Sequence, residues 1–498
     1  LVRNTELFVC LGGLPVKNAQ IESGGLGEHL SADQPLAAHG RGARFVSISP
    51  VRSDTPEELH AEWIPIVPNT DTALLLSLAN TLLSEGLHDE AYLHSHAVGF
   101  ERVAAYLRGE TDGTAKTAGW AEKITGIPAA AIRGLARRMA AQRTFLNMSL
   151  STQRCDHGEQ TYWAGILVAA MLGEIGRPGG GVGFGYMAIH GNGNAVPDFH
   201  PPTLATGRNP LGLSIPVARV TDMLLDPGGS VDFNGSRITY PDIRMIYWCG
   251  GNPLHHHQDI NRLLRAMRRV ETLVTHEPWW TPFARHCDIV LPASTTLERN
   301  DIMASRSDRF ILTMKQAVAP VGEARSDFAI FAAIARELGV EDAFTEARDE
   351  MGWLRHIYDE ARARNAADPS MPALPDFDRF WREEVVHLPP ATPGDPLADF
   401  CKDPESFPLG TPSGRIELYS QKVAAFGYPD APGHPYWMEP AEWLGAGTAA
   451  SYPLHLLSNQ PASRLHSQLD MTRAGASDKT AGREGLRIHP DTAAERGI

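Results

Sequence analysis

Short apolar runs alternate with segments of helical spacing along the first third of the chain. Apolar residues dominate positions 7–11, 44–48 and 145–150, whereas they recur every three or four residues over 72–83 and 129–141. Short apolar runs predict buried strands, and the wider spacing predicts helices. Strands that alternate with helices predict a parallel sheet in an α/β domain.

The same strand-and-turn pattern occurs twice. Residues 8–15 read FVCLGGLP and residues 246–253 read IYWCGGNP, so an apolar run precedes Gly-Gly-x-Pro in both. Two later apolar runs that end in proline also match in order. They are FVSISP (45–50) with LVTHEP (273–278), and WIPIVP (63–68) with DIVLP (288–292). Three matched strand ends, separated by more than 200 residues, predict a duplicated α/β unit and exclude a solenoid.

Both copies place two glycines where the first strand ends. Open parallel sheets bind ligands at the carboxyl ends of their strands, and glycine lets the backbone approach a phosphate closely. A single Gly-Gly-x-Pro is most often a plain tight turn. Two of them at equivalent positions predict two related nucleotide sites, each supported by the N-terminus of a following helix.

Composition narrows the class of protein. The 498 residues are 43% apolar and 21% charged, with a formal net charge of −14. These values are typical of a globular protein of roughly three domains and do not favour a nucleic-acid binder. The five cysteines form no CxxC pair and no apolar run reaches 18 residues. We therefore expect neither an iron–sulfur or zinc cluster nor a membrane-spanning helix.

Longer motifs point to a family. The segments GGNPLHHHQDINRL (250–263) and HEPWWTPFARHCDIVLPASTTLERNDI (276–302) closely resemble the molybdopterin oxidoreductases of the dimethyl-sulfoxide-reductase family, in particular the S- and N-oxide reductases. Further similar blocks, in the same order, are STQRCDHGEQ (151–160), MLGEIGRPGGGVGFGY (171–186), SNQPASRLHSQLD (458–470) and GREGLRIHP (482–490). The resemblance covers essentially the whole chain.

The resemblance implies two related, doubly wound α/β dinucleotide-binding domains followed by an incomplete β-barrel. The expected domains are 1–205 and 206–395 for the two α/β units, 396–445 for a linker and irregular region, and 446–498 for the start of the barrel. Within the first unit, the glycine-rich stretch 179–185 is expected to be a loop near the cofactor or a turn. Because the chain starts at Leu1 without methionine, we expect an internal segment that is inactive alone.

The implied cofactor is a bis-molybdopterin guanine dinucleotide, and the implied reaction is two-electron reduction of an S- or N-oxide. Dimethyl sulfoxide, trimethylamine N-oxide, and biotin or methionine sulfoxide are the expected substrates. The electron donor (cytochrome, flavoprotein or NAD(P)H) stays open, as does a cytoplasmic or periplasmic location. Two alternatives remain: a formate dehydrogenase or nitrate reductase type, and a non-catalytic subunit.

Candidate cofactor contacts are carried over from the resemblance residue by residue. For the first nucleotide they are Gly12, Gly13, Lys17, Ser49, Pro50, Pro68, Thr70 and Asp71. For the second they are Gly251, Asn252, His256, Gln258, His276, Glu277, Arg299, Asp301 and Asp327. Those expected near the pterins are Leu150, Ser151, Arg154, Arg464, His466, Ser467 and Gln468. No catalytic residue or metal ligand is expected within the chain, because the family's metal ligand would lie upstream of Leu1.

Residue chemistry supports some of these assignments. A carboxylate such as Asp71 or Asp327 suits guanine, whose N1–H and amino group require acceptors. Arg299 suits a pyrophosphate. Other residues favour simpler interpretations: three adjacent histidines at 255–257 rarely share one metal ion, and Cys155 is expected to be a buried thiol. Trp279 and Trp280 fit either a substrate funnel or core packing.

Overall fold

A computed structural model describes residues 1–19, 31–186, 196–306, 308–391, 394–465 and 469–498. The strands, numbered in chain order, are β1 Leu7–Leu11, β2 Arg44–Ile48, β3 Glu62–Ile64, β4 Ala97–Val98, β5 Thr144–Met148, β6 Gly181–Phe184, β7 Ser230–Phe233, β8 Ser236–Thr239, β9 Met245–Cys249, β10 Thr272–His276, β11 Ile289–Leu291, β12 Asp301–Ala304, β13 Phe310–Met314, β14 Val385–His387 and β15 Ile416–Glu417.

The α-helices are α1 Asp33–His39, α2 Asp71–Ser84, α3 Glu90–His96, α4 Phe100–Leu107, α5 Ala118–Thr125, α6 Ala129–Ala141, α7 Glu159–Met171, α8 Val220–Leu225, α9 Ile260–Met267, α10 Asp327–Glu337, α11 Glu341–Thr345, α12 Glu350–Ala367, α13 Phe377–Glu383, α14 Ala398–Lys402, α15 Gln421–Ala424, α16 Arg473–Ser477 and α17 Pro490–Ala494. Among the described residues, no helix is both long and apolar enough to cross a membrane.

Five parallel strands form the first sheet, in the order β3-β2-β1-β5-β6. β1 pairs with β2 and β5 along its whole length, and all five of its residues are buried. Leu7, Val9 and Leu11 face a large core that includes side chains of α2 and α7, whereas Phe8 and Cys10 face a smaller core on the other side. A strand buried on both faces needs apolar residues throughout, so β1 shows no polar alternation.

Three parallel strands form the second sheet, in the order β11-β10-β9. This is the same third–second–first order as β3-β2-β1, in agreement with the predicted duplication. The predicted α/β class with parallel sheets is thereby confirmed. β9 is an outer strand of its sheet, and Met245 at its start is exposed. In the first sheet, β1 lies between β2 and β5. The second sheet has no strand equivalent to β5 among the described residues.

Two local predictions need correction. The third strand was expected to reach Pro68 but ends at Ile64, because prolines 65 and 68 cannot donate to a strand ladder. Ile64 pairs with Ile48, and Leu291 pairs with His276, so Pro65 rather than Pro68 corresponds to Pro292. The glycine-rich stretch also differs, since Gly181–Phe184 forms β6 and pairs with β5. Its glycines favoured a turn, and a strand partner more than 30 residues away leaves no local signal.

The antiparallel strands β12-β13-β14 form a third sheet, covered by α12 and α13. Its core includes Phe199, which lies before the second α/β unit in the chain, together with Tyr358 and Phe380. The hairpin β7–β8 is separate and pairs only within itself among the described strands. The exact domain boundaries stay a prediction.

The segment 396–445 was expected to be a linker and irregular region, but much of it packs onto the first unit. We call residues 397–442 the return segment, because it packs back onto the first unit. Phe400, Ile416 and Leu418 are buried in the core around α2 and α7, and β15 pairs in parallel with β4. Because the segment is rich in proline and aspartate, its few buried apolar positions form no recognisable pattern in the sequence.

Residues 446–498 were expected to begin a β-rich barrel. Their described parts, 446–465 and 469–498, contain α16, α17 and an isolated bridge between Thr480 and Arg483, but no strand. A strand needs a partner for its backbone groups, and composition alone does not supply one. The strands expected here are therefore not formed in the described residues, and assignment to a barrel stays a prediction.

Candidate functional site

The first glycine turn, Gly12–Gly13, follows β1 at the carboxyl edge of the five-stranded sheet. Both glycines have positive φ, +83° and +78°. A Cβ on Gly12 would lie 2.1 Å from Ser149 Oγ, and one on Gly13 would lie 2.5 Å from the carbonyl oxygen of Asp54. Only glycine fits this turn, because the loops after β2 and β5 enclose it.

Polar side chains from these two loops surround the first turn. Ser49, buried at the end of β2, donates to Asp54 Oδ2 at 3.0 Å, and Ser149 and Ser151 share a hydrogen bond after β5. Burial raises the pKa of Asp54, and hydrogen bonding to Ser49 opposes this effect. Burial lowers the pKa of Lys17, and the nearby Asp54 charge opposes that. The predicted residues Gly12, Gly13, Lys17, Ser49 and Ser151 thus lie together, with Pro50, Leu150 and Arg154 in the adjoining loops.

Asp71 lies at the first position of α2, beyond the end of β3. Its carboxylate has no side-chain hydrogen-bond partner among the described residues, and burial raises its pKa to about 6. Thr70, fully buried, donates to the Val67 carbonyl at 2.6 Å, and Pro68 lies between them in the chain. Burial, with the Asp71 charge beside it, raises the pKa of Cys155 to about 11, consistent with an unreactive thiol.

The second glycine turn, Gly250–Gly251, follows β9 and also has positive φ, +78° and +80°. It is open: a Cβ on Gly250 would meet nothing within 4 Å, and one on Gly251 would lie 3.7 Å from Trp248 Nε1. Asn252 is buried, and its Oδ1 accepts from the Leu254 amide at 3.3 Å. Its Nδ2 has no partner among the described residues. His256 and Gln258 are exposed beside the turn.

His276 and Asp327 are joined directly. His276 Nδ1 lies 2.6 Å from Asp327 Oδ1, and His276 Nε2 lies 2.7 Å from the Tyr247 hydroxyl. The His276 side chain is only 1% exposed, whereas that of Asp327 is 51% exposed. Direct contact of His276 with a cofactor is therefore not what the structure shows, because both ring nitrogens are engaged by protein. Asp327 is the member of the group that faces outward.

The remaining candidates of the second unit are engaged with neighbours. Glu277 accepts from the Trp279 amide at 3.4 Å and from Thr281 Oγ1 at 3.2 Å, and burial raises its pKa. Arg299 forms an ion pair with Asp301, so neither is presented alone. Trp279 and Trp280 are 60% and 58% exposed, which argues against core packing. The substrate-funnel interpretation stays a prediction.

The segment around Arg464 lies between the two turns. Lys17 Nζ donates to the Gln460 carbonyl at 2.5 Å, and Asp470 has its pKa lowered by Lys479, Arg464 and His255. Arg464 pairs with Glu484 at 3.0 Å. The segment therefore reaches Lys17 on the first unit and His255 on the second. The predicted contacts His466, Ser467 and Gln468 lie outside the described residues.

Sequence reasoning missed several polar residues at these strand ends. Ser149 and Asp54 follow strands β5 and β2 closely, so the strand-end rule could have found them. Ser294, after β11, is buried and its hydroxyl has no partner among the described residues. Tyr247 lies inside an apolar strand, and nothing in the local sequence pattern indicated that its hydroxyl would form a hydrogen bond in the site.

Comparisons with known proteins define the family. The molybdopterin oxidoreductase family model matches residues 2–337. The chain is 47% identical over 498 residues to a biotin sulfoxide reductase of Cereibacter sphaeroides, covering 100% of this chain and 66% of that protein. It is 46% identical over 516 residues to a dimethyl sulfoxide/trimethylamine N-oxide reductase of the same organism, covering 100% and 62%. The chain belongs to the molybdopterin oxidoreductase family, as its motifs predicted.

A solved structure supports the fold. Acetylene hydratase from Pelobacter acetylenicus superposes with a TM-score of 0.65 at 18% identity, over 100% of this chain and 66% of that one. At this identity the likeness concerns architecture alone. The chain spans about two thirds of the length of the relatives it matches.

Proposed function

We propose that the protein is a reductase of S- or N-oxides that works with a bis-molybdopterin guanine dinucleotide. The observation that carries this proposal is the pair of glycine turns at equivalent strand ends of two parallel sheets. Each turn lies at the carboxyl end of a parallel strand, where an open α/β sheet binds phosphate. The relatives named as biotin sulfoxide and dimethyl sulfoxide/trimethylamine N-oxide reductases supply the substrate class.

The described residues fit two dinucleotides. In the first unit, the backbone of Gly12 and Gly13 and the Ser149–Ser151 hydroxyls would meet phosphate and pterin, and Asp71 would accept from guanine. Among the described residues no side chain hydrogen-bonds the Asp71 carboxylate, which accepts only from its own backbone amide, so a ligand with two N–H donors would use its remaining acceptor positions.

In the second unit, the backbone of Gly250 and Gly251 and the orphaned Asn252 amide would donate to phosphate. An unsatisfied buried N–H costs about 1–3 kcal/mol, so a ligand acceptor at this point is energetically favourable. Asp327 would accept from the second guanine. Arg299 would add a cation near the pyrophosphate if it leaves Asp301.

The bound cofactor would supply the two-electron oxygen-atom exchange, and this chain's residues would bind and orient it. The enclosed first turn would fix one dinucleotide by shape as well as by hydrogen bonds. Trp279 and Trp280, exposed directly after β10, are proposed to line the approach for a small polar substrate. No described residue is assigned as the metal's ligand.

The proposal is tested on the complete protein purified from a host that makes the cofactor. We expect one molybdenum and two guanosine monophosphates (GMP) per chain after acid release. Reduced viologen should be oxidised by dimethyl sulfoxide, trimethylamine N-oxide, or biotin or methionine sulfoxide. Turnover with formate or nitrate instead would support the dehydrogenase or nitrate-reductase type. Absence of molybdenum would support a non-catalytic subunit, and either result overturns the proposal.

A further inference from the structure

Asp71 and Asp327 occupy equivalent places in the duplicated fold. Each is the first residue of a helix that follows the third strand of its sheet, α2 after β3 and α10 after β11. The second unit inserts the β12–β13 hairpin before its helix, which obscured the match in sequence. Both helices pack on the same face of their sheets. Arg299 also follows the third matched strand, but it precedes β12 and does not begin a helix, so Asp327 is the counterpart of Asp71.

The sheet face that packs against the helix of each aspartate differs between the two units. In the first unit it carries Val9 and Ile48, which belong to the apolar core. Alignment of FVCLGG with IYWCGG matches Val9 with Tyr247. Alignment of FVSISP with LVTHEP matches Ile48 with His276. Two core aliphatic residues of one copy are thus replaced by a polar pair in the other.

The polar pair forms a chain that ends at the exposed carboxylate. A carboxylate only accepts, so His276 Nδ1 carries a hydrogen and donates to Asp327, while Nε2 shares a hydrogen bond with the Tyr247 hydroxyl. Phe331 of α10 packs against both rings, with centroids 4.8 Å from His276 and 5.6 Å from Tyr247. Both rings of the hydrogen-bonded chain are therefore packed against α10.

We propose that Tyr247 and His276 are positioning residues that hold the Asp327 carboxylate in the orientation required by a guanine base. This inference rests on the proposed function and adds a specificity device that, among the described residues, the second nucleotide site has and the first lacks. With Oδ1 tied to His276, the remaining lone pairs of the carboxylate face outward. Guanine presents N1–H and an amino group side by side, which match them.

Two neighbouring residues support the location of Asp327 beside the second glycine turn. Cys249 is the last residue before the second glycine turn. Partial burial and the Asp327 charge raise the pKa of its thiol, so the carboxylate lies near that turn. The Ser294 amide donates to the Arg325 carbonyl at 2.8 Å, which places the orphaned Ser294 hydroxyl beside the start of α10. Preorientation strengthens binding because less freedom is lost when the ligand arrives.

The test uses the complete protein from a cofactor-making host, with GMP per chain and its rate of release in mild urea as readouts. His276→Ile copies Ile48 of the first unit, so the sheet should accept it. We expect GMP to fall from two toward one per chain, with release of the second about tenfold faster. His276→Asn keeps a donor near the Nδ1 position and should restore most of the retention, which loss of packing alone would not predict.

Further variants keep the proposal falsifiable if His276→Ile folds poorly. Tyr247→Phe preserves the ring on Phe331 and should speed release about threefold, through loss of one hydrogen bond. Tyr358→Phe is the matched control, because its buried hydroxyl has no hydrogen-bond partner among the described residues and lies in another core. Wild type without guanine nucleotide would overturn the proposed function itself. Wild type with two GMP, together with unchanged retention in His276→Ile and Tyr247→Phe, would overturn only the positioning role.

Discussion

The two glycine turns share sequence pattern and backbone angles, but their surroundings differ. The first turn is enclosed, with Ser149 and Asp54 where side chains on Gly12 and Gly13 would lie. The second turn is open, because β9 is an outer strand and no described strand supplies a neighbouring loop like that after β5. The local motif therefore sets the shape of the backbone, and neighbouring strands decide how much space a ligand finds.

The same contrast extends to the elements that cover each sheet. The return segment buries Phe400 and Leu418 against the first unit, and its Trp437 amide donates to the Tyr106 hydroxyl at 2.9 Å. Its contact with the second half is slighter, through the Tyr428 hydroxyl, which accepts from the Gly235 amide at 2.9 Å. The return segment therefore covers the first α/β unit more completely than the second.

The largest expected effect concerns the packing of the return segment on the first unit. Leu418→Ala removes a fully buried side chain of the return segment and should lower the free energy of unfolding of the first unit by about 2–5 kcal/mol. Urea denaturation followed by tryptophan fluorescence measures it. Leu456→Ala, at a position 75% exposed, is the control and should change stability by less than about 0.5 kcal/mol. Equal effects would mean that the return segment is not part of the first core.

Matched glycine substitutions test the enclosure directly. Gly12→Ala combines left-handed strain with a clash against Ser149 and should cost about 2–4 kcal/mol. Gly250→Ala, at the equivalent open position, carries only the strain and should cost about 1–2 kcal/mol. The difference in urea midpoints between the two variants is the measurement. A Gly250 variant as unstable as the Gly12 variant would contradict an open second turn.

The two aspartates should respond to substitution with opposite signs. Asp71 has a folded pKa of about 6 against 3.8 for an exposed group, so the cofactor-free protein should lose about 2–3 kcal/mol of stability as pH rises from 4 to 6. Asp71→Asn should remove this slope and raise stability at pH 7, while lowering GMP content. Asp327→Asn should instead cost about 1–2 kcal/mol, because its bond to His276 is weakened. Denaturation curves at pH 4, 5, 6 and 7 decide between these outcomes, and an unchanged slope in Asp71→Asn would refute the assignment.

The smallest expected change in stability concerns Arg299. Its pairing with Asp301 is partly exposed, so Arg299→Ala should change the free energy of unfolding by only about 0–1 kcal/mol. If Arg299 turns to the pyrophosphate in the loaded protein, the variant should nevertheless release its second GMP faster. In a structure of the loaded protein, a guanidinium that is still paired with Asp301 and more than about 6 Å from any cofactor atom would leave only the salt bridge.

Much of the fold and part of the site could be predicted from local pattern. Strands β1 and β2 and helix α6 have the predicted bounds, because apolar periodicity reports burial directly. The glycine turns were found because positive φ at a strand end favours one residue type. The role of β6 and the anchoring of the return segment could not be predicted, since each depends on a partner far away in the sequence.

The sequence by itself determined the family, the duplication and the glycine turns, and it predicted Asp71 and Asp327 as guanine acceptors, because long motifs and strand-end chemistry are written in consecutive residues. The tertiary structure alone decided that Asp327 corresponds to Asp71, that His276 is buried behind it, and that Tyr247 completes the chain. Those relations arise where a helix packs across two strands, and hydrogen bonds of 2.6 and 2.7 Å join residues 51 and 29 positions apart. Only the packing of the folded chain brings such groups within reach.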